Sequence, residues 1–222
     1  MPFTRTPQRI VWLTAAALAL TACIGPPATS SPTAARQQLN DLIVTTSGSM
    51  SGYSRDRFPH WRPEGTGSCN VRDAVLRRDA QEVRVENSCN VVGGTWYSVY
   101  DGLVLNDPAR VDIDHMVPLA NAWRSGASGW DDTRRGDFAN DLTRPELIAV
   151  SATSNRAKGD QDPAQWRPKN REYWCEYASS WIAVKHYWRL TVTAAEKSAL
   201  SEMLGTCQSS SAPQTSPPAP AG

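Results

Sequence analysis

The residues whose types can do chemistry concentrate in one short segment, Asp112-Ile113-Asp114-His115, which Pro118 follows. A carboxylate supplies a hard oxygen ligand for a divalent cation, and a neighbouring imidazole can accept a proton from water near neutral pH. The alternation over 111–115 predicts a strand, in which consecutive side chains point to opposite faces. Asp114 and His115 can therefore serve one site only if the strand ends or bulges there, which Pro118 favours. A purely structural Asp–His pair is the alternative.

The other two histidines fit structural roles better. His186 lies in a run of aromatic residues with helical spacing, and His60 lies in the turn-like segment 57–61. Other catalytic signatures are missing from the sequence. Met50 stands at the centre of Gly48-Ser49-Met50-Ser51-Gly52, which excludes a nucleophile elbow. The sequence also has no H-E-x-x-H motif and no phosphate-binding P-loop.

The segment from Asp112 to Leu119 resembles the first motif of HNH (ββα-metal) endonucleases, and most closely the extracytoplasmic branch related to the GmrSD-type nuclease domain. The similarity covers residues 53–207 and is most specific in the order Asp-His…Asn…Asn-x-x-Lys-Gly. It continues through Ala120-Asn121-Ala122-Trp123, Asn140-Asp141-Leu142, Asn155-Arg156-Ala157-Lys158-Gly159-Asp160, Trp166-Arg167-Pro168 and Tyr173-Trp174-Cys175.

The resemblance implies a role for each matching position. Asp114 would ligate a metal ion, and His115 would be the general base that activates water. Asn140 would brace the loop between two strands, and Asn155, at the start of the metal-finger helix, would be the second protein ligand. Asp112 would either support the metal indirectly or only order the strand, and the sequence leaves both readings open.

Two further implications concern phosphate and metal. Arg156 and Lys158, next to Asn155, would hold the scissile phosphate or offset developing charge, with a solvated helix face as the alternative. Asp114 and Asn155 replace histidines of the histidine-rich version of the motif. Because both offer oxygen donors, the cofactor expected is Mg²⁺ or Mn²⁺ with several retained waters, rather than Zn²⁺.

The N-terminus predicts export. Arg5 and Arg9 precede an apolar run over 10–20 and a small-residue cleavage site, so residues 1–22 are interpreted as a signal peptide. Leu20-Thr21-Ala22-Cys23 resembles the bacterial lipobox, whose cysteine is lipidated and becomes the mature N-terminus. The expected location is therefore the outer face of the cell membrane. An ordinary secretory signal, and hence a secreted protein, is the alternative.

Cysteine usage agrees with an oxidising compartment. Removing Cys23 leaves four cysteines, an even number that favours disulfides. Of the three possible connectivities, Cys69–Cys89 with Cys175–Cys207 is favoured because each pair brackets one local segment. A zinc site is the rival interpretation, but no C-x-x-C spacing occurs.

Composition divides the chain into a domain and its flanks. Residues 23–38 are rich in Pro, Ser, Thr and Ala and predict a flexible tether, and residues 208–222 predict a disordered tail. The remaining residues, 39–207, predict one domain. Helices are predicted at 37–44, 72–78 and 171–188, and a further helix is predicted to begin after the capping box at Thr193. A helix opening within 145–150 is a less clear prediction. Strands are expected at 83–85, 93–97 and 111–115. The fold class expected is α+β with a helical C-terminal half, and the resemblance implies a ββα-metal finger core stapled by the disulfides.

Composition also excludes several classes of protein. Of the 222 residues, 40% are hydrophobic and 20% are charged, which excludes a disordered chain, and no apolar run is long enough to span a membrane. Lys and Arg number 23 against 22 acidic residues, so a strongly basic nucleic-acid coat is excluded.

The function expected is that of an extracytoplasmic, metal-dependent endonuclease that hydrolyses DNA, with RNA as a second substrate class. Its partners would be a nucleic-acid substrate and the membrane through the lipid anchor, and no protein partner is inferred. A non-catalytic, Trp-rich lipoprotein that binds glycan or a protein is the alternative, supported by Trp123 and Trp130 near the site. A different hydrolase, such as a peptidoglycan enzyme, is a third possibility.

Overall fold

The computed structural model describes residues 31–64, 68–87 and 89–207. The expected signal peptide, Cys23 and the expected tail at 208–222 lie outside the described residues. Helices and strands mix along the chain, so the predicted α+β class is confirmed. The helices are α1 Pro32–Asp41, α2 Val71–Asp79, α3 Leu119–Arg124, α4 Asp132–Ala139, α5 Ala152–Lys158, α6 Trp174–Trp188 and α7 Ala194–Leu204, and the strands are β1 Gln81–Glu86, β2 Asn90–Ser98, β3 Leu103–Leu105, β4 Val111–His115 and β5 Leu147–Ser151.

A two-stranded antiparallel sheet of β4 and β5 forms the centre of the site. Val111 pairs with Ser151 at one end and His115 pairs with Leu147 at the other. Strand β5 continues directly into α5, because the Ser151 hydroxyl caps the helix by accepting a hydrogen bond from the Ser154 N–H at 3.1 Å. The chain therefore contains a ββα unit built from β4, β5 and α5. A second antiparallel sheet has the order β1-β2-β3.

The hairpin of β4 and β5 is covered on both faces. Ile113 and Leu147 pack into a smaller core with Trp96 and residues of α2. On the opposite face, Val150 joins the main core, in which Trp181 of α6 is fully buried. Most of the aromatic residues of α6 thus belong to the core, as their helical spacing predicts.

The prediction that a helix opens at 145–150 is wrong, since Leu147–Ser151 is strand β5. Both faces of β5 pack against other elements, so its sequence lacks the polar–apolar alternation that marks a half-exposed strand. Pro145 is compatible with the start of a helix. Pairing with the distant strand β4 decides the conformation here.

The domain also begins earlier than expected. Helix α1 starts at Pro32, within the predicted tether 23–38, and its Ala35 side chain is fully buried. Ser31 caps the helix by accepting from the Ala34 N–H at 3.3 Å, and proline is favoured in the first helical turn. The Ser-Pro composition that suggested a tether is thus, at this point, a helix start. The tether prediction is wrong for residues 32–38.

Two disulfides have the predicted connectivity. Cys69–Cys89 joins the residue before the α2 cap to the residue before β2, and Cys175–Cys207 joins the first turn of α6 to the chain just beyond α7. Within the described residues, no helix is both long and apolar enough to cross a membrane.

The Cys175–Cys207 bond is expected to stabilise the helical half. It joins cysteines 32 positions apart. A disulfide that closes a loop of that size contributes about 3–4 kcal/mol to stability, because it lowers the conformational entropy of the unfolded chain. The double variant Cys175→Ala/Cys207→Ala should therefore lower the free energy of unfolding by about that amount in urea titrations. Ser201→Ala, an exposed change on α7, is the control. An unchanged midpoint in the double variant would contradict the role given to this disulfide.

Candidate active site

One cleft collects three of the predicted site residues. It has a volume of about 230 Å³ and lies where β4 ends beside α5. Asp114 and His115 line it from the end of β4, and Asn155 lines it from α5. The other lining residues are Tyr53, Arg55, Ile113, Pro118, Leu119, Ala120, Gly159 and Asp160. The structure therefore brings together the two expected metal ligands and the expected general base.

A buried ion pair fixes the Asp114 carboxylate. The Lys158 ammonium donates to Asp114 Oδ1 at 2.9 Å and to Oδ2 at 2.6 Å, and the Tyr100 hydroxyl donates to Oδ2 at 2.6 Å. Burial raises the pKa of Asp114, and the charge and hydrogen bonds of Lys158, with the bond from Tyr100, oppose that shift. These three donors hold the carboxylate in one orientation at the edge of the cleft.

Lys158 does not have the role that the sequence suggested. Its side chain has no exposed surface, and its third donor goes to the His115 carbonyl at 2.8 Å. All three ammonium protons are thus used inside the protein, which leaves none for a substrate phosphate. The expected phosphate contact and the alternative of a solvated helix face are both wrong for this residue, because α5 turns this face toward β4.

His115 is buried and held by a single backbone acceptor. Its Nε2 lies 3.0 Å from the Ala139 carbonyl oxygen. A carbonyl can only accept, so Nε2 carries the proton and Nδ1 carries the lone pair. Burial lowers the pKa of His115 to about 3, with smaller contributions from charges that include Arg55. The imidazole is therefore neutral at pH 7 and can accept a proton at Nδ1.

The indole of Trp61 packs beside that imidazole, with 5.8 Å between the ring centroids. Trp61 has a φ of 58°, in the left-handed region that bulky residues rarely adopt. His60, the preceding residue, lies within hydrogen-bond distance of the Phe58 carbonyl, at 2.9 Å. The segment that contains both residues is thus held in a specific conformation next to the expected base.

Asn140 lies in the connection between β4 and β5 and braces it. Its Nδ2 donates to the carbonyls of Pro59 and Gly136, both at 2.7 Å, and its Oδ1 accepts from the Arg62 N–H at 2.9 Å. Because Ala139 is its immediate neighbour, this bracing also fixes the carbonyl that holds His115. Asn140 does not line the cleft.

Asp112 contacts one of the expected ligands. Asn155 donates from Nδ2 to Asp112 Oδ2 at 3.3 Å, which commits the amide nitrogen and leaves Oδ1 as a possible ligand atom. The Arg156 guanidinium lies 3.6 Å from the same carboxylate, and its side chain is 76% exposed. Asp112 therefore orients Asn155, while Arg156 lies on the surface beside it.

Glu146 is a positioning residue that the sequence did not reveal. It is fully buried; its Oε2 accepts from the Val117 N–H at 3.1 Å, and its backbone carbonyl accepts from the Met116 N–H at 2.6 Å. Burial raises the pKa of Glu146 well above its usual range. These bonds fix the turn that ends β4. The sequence around Glu146 and Tyr100 does not identify them as site residues, because each acts through a contact with a distant part of the chain.

Two side chains that line the cleft carry oxygens of the kind that bind a hydrated divalent cation. Among the described residues, Asp114 Oδ1 accepts one hydrogen bond, from Lys158, and so retains a lone pair. Asn155 Oδ1 is a second hard oxygen donor, of the kind that Mg²⁺ and Mn²⁺ prefer. Among the residues that the structure describes, no group of three or more His, Cys, Asp or Glu side chains is placed to hold a metal ion.

Comparison with known proteins places this site in a family. A family model described as "GmrSD restriction endonucleases, C-terminal domain" matches residues 70–203, which include β4, β5 and α5. A relative from Arthroderma benhamiae, named "Uncharacterized secreted protein", is 50% identical over 182 residues, which are 82% of this chain and 89% of the relative. No solved structure matches the chain.

The ion pair can be tested by a double-variant cycle. Lys158→Met would leave the buried Asp114 carboxylate unpaired, which should cost about 3–5 kcal/mol of unfolding free energy. Adding Asp114→Asn removes the unpaired charge and should restore a large part of that loss, as urea titrations would show. Lys169→Met, at an exposed lysine, is the matched control. Additive effects of Asp114→Asn and Lys158→Met would contradict the coupling.

Proposed function

Because the chain belongs to the family of the GmrSD restriction endonuclease C-terminal domain, we propose that it is an extracytoplasmic, metal-dependent endonuclease. Its substrate is DNA, with RNA as a second substrate class. The observation that carries the proposal is the placement of the His115 imidazole in one cleft with the oxygen donors Asp114 and Asn155. A water-activating base beside oxygen ligands suits phosphodiester hydrolysis.

The base acts through the two nitrogens of one ring. Nδ1 of His115 takes a proton from the attacking water. The hydrogen bond from Nε2–H to the Ala139 carbonyl favours the imidazolium that forms, against the opposing effect of burial. Water then attacks phosphorus, and the bond to the leaving oxygen breaks. Asn140 keeps the Ala139 carbonyl in place through its own three hydrogen bonds.

Asp114 and Asn155 would hold Mg²⁺ or Mn²⁺. When bound, the cation supplies Lewis-acid polarisation of the phosphoryl group and stabilises the charge on the leaving oxygen. Lys158 and Tyr100 contribute by fixing the Asp114 carboxylate, and Lys158 also favours its ionised form. Arg156, exposed beside Asp112, is available to a nucleic-acid backbone at the edge of the site.

The location outside the cytoplasm rests on three observations. The N-terminal sequence has the pattern of an export signal, the four cysteines of the domain form two disulfides, and the relative from Arthroderma benhamiae is named a secreted protein. Lipidation at Cys23 would anchor the protein to the outer face of the membrane, and the lipobox pattern is the support for that part of the proposal.

The alternative function, that of a Trp-rich binding protein, loses its main support. Trp123 is 3% exposed and packs against Phe58 in the main core. Trp130 packs against Phe138 and Trp188. Trp123 is thus a core residue, and Trp130 is partly buried by its own aromatic neighbours, which leaves little indole surface for glycan binding.

The catalytic claim is tested by plasmid cleavage. His115→Ala should lower the rate by about 10²–10⁴-fold, because the variant lacks the group that takes the proton from water. His186→Ala is the matched control, since His186 lies on α6 and its nearest acidic partner is Asp41 at 3.8 Å. Equal rates in the two variants, at equal folded fractions, would remove the nuclease mechanism.

The metal requirement is tested in the same assay. EDTA should abolish cleavage by the wild-type protein, and added Mg²⁺ or Mn²⁺ should restore it. Asn155→Ala should need a higher Mn²⁺ concentration for half-maximal activity, because one of two protein ligands is lost. Asn40→Ala, at an exposed position on α1, should behave as wild type. Cleavage that persists in excess EDTA would contradict the assignment of Asp114 and Asn155 as metal ligands.

A further inference from the structure

A segment that precedes the family match forms one wall of the cleft. We call residues 49–62 the N-terminal strap; the match itself begins at residue 70. Tyr53 and Arg55 of the strap line the cleft together with Asp114, His115 and Asn155 of the ββα unit. The site therefore contains side chains that the matched segment 70–203 does not supply.

The strap is firmly attached to the domain. Phe58 is fully buried, with ring centroids 6.4 Å from Trp123 and 6.2 Å from Phe138. Tyr53 packs against Trp123 with 5.8 Å between ring centroids. On the backbone, Arg135 Nε donates to the Arg57 carbonyl at 3.0 Å. Together with the bonds of Asn140, these contacts hold the strap at a fixed place along the cleft.

The charges of the cleft cancel except at Arg55. Asp114 is neutralised by Lys158 at 2.6 Å, and Asp160 pairs with Arg124 at 2.7 Å. Arg55 is exposed, and among the described residues no carboxylate lies within 4 Å of its guanidinium. Among the described residues, the lining of the cleft therefore has one uncompensated positive charge, on Arg55.

We propose that Arg55 binds the phosphodiester group that is cleaved, an assignment that rests on the proposed nuclease function. The planar guanidinium offers paired N–H donors that match two phosphate oxygens. Its position in the same cleft as His115 places the bound phosphate beside the base. The phosphate contact that the sequence assigned to Lys158 is thereby assigned to a residue 103 positions earlier in the chain, which lines the cleft.

The test compares Arg55→Ala with Arg77→Ala, a change of the same charge at an exposed position of α2 that does not line the cleft. Arg55→Ala should lower kcat/KM for DNA cleavage about ten- to hundredfold, the usual range for a lost charge-assisted hydrogen bond. Arg55→Lys should recover part of that loss. Arg77→Ala should be unchanged.

A binding measurement separates this assignment from the nuclease proposal itself. In the His115→Ala background, the affinity for a fluorescent DNA duplex is measured over a range of salt concentrations. Arg55→Ala should weaken binding and reduce the slope of log K against log salt by about 0.9, as expected for one lost phosphate contact. If Arg55→Ala matches Arg77→Ala in both cleavage and salt slope, the assignment is overturned. If the protein with His115 intact does not cleave DNA, the nuclease proposal fails, and a changed slope would still identify Arg55 as a phosphate-binding residue.

Discussion

The buried ion pair between Asp114 and Lys158 is the interaction on which the site depends. Removing two charges from water is costly, and the cost is offset only when every donor and acceptor is satisfied. Lys158 meets that condition by donating to both Asp114 oxygens and to the His115 carbonyl, and Tyr100 adds a fourth bond. The pair attaches the end of α5 to the end of β4. As a result, residues from the two ends of the ββα unit meet in one cleft.

A second constraint comes from the geometry of a strand. Asp114 and His115 are consecutive, so a continuing strand would send them to opposite faces. Strand β4 ends at His115, and Glu146 fixes the turn that follows by accepting from Met116 and Val117. Both side chains line the same cleft at this strand end. The Asp-His-x-x-Pro pattern contained this information, because it implied a strand end.

Local signals in the sequence were sufficient for much of the fold. The alternation in β4, the helical spacing of α6 and the bracketing cysteines predicted elements and disulfides that the structure has. Strand β5 was missed because it is buried on both faces, and the start of α1 was missed because Ser31-Pro32 was interpreted as tether composition rather than as a helix cap.

The site was only partly predictable for a different reason. Asp114, His115 and Asn155 were found from a motif that the chain carries in order. The environment of Lys158, the bond from Tyr100 and the position of Arg55 depend on contacts between residues that are 14 or more positions apart. A lysine next to a ligand motif looks the same in sequence whether its helix face points to solvent or to a buried carboxylate. Tertiary packing decides between the two.

The central claim is that His115, which lines the cleft, has an unprotonated Nδ1. Nitrogen-15 NMR of histidine-labelled protein at neutral pH, assigned by comparison with His115→Ala, measures this directly. The structure predicts a neutral ring with the proton on Nε2, as the hydrogen bond to the Ala139 carbonyl requires. A ring protonated on Nδ1, or on both nitrogens, would leave Nδ1 without a lone pair to accept a proton from water and would contradict the assignment of His115 as the base.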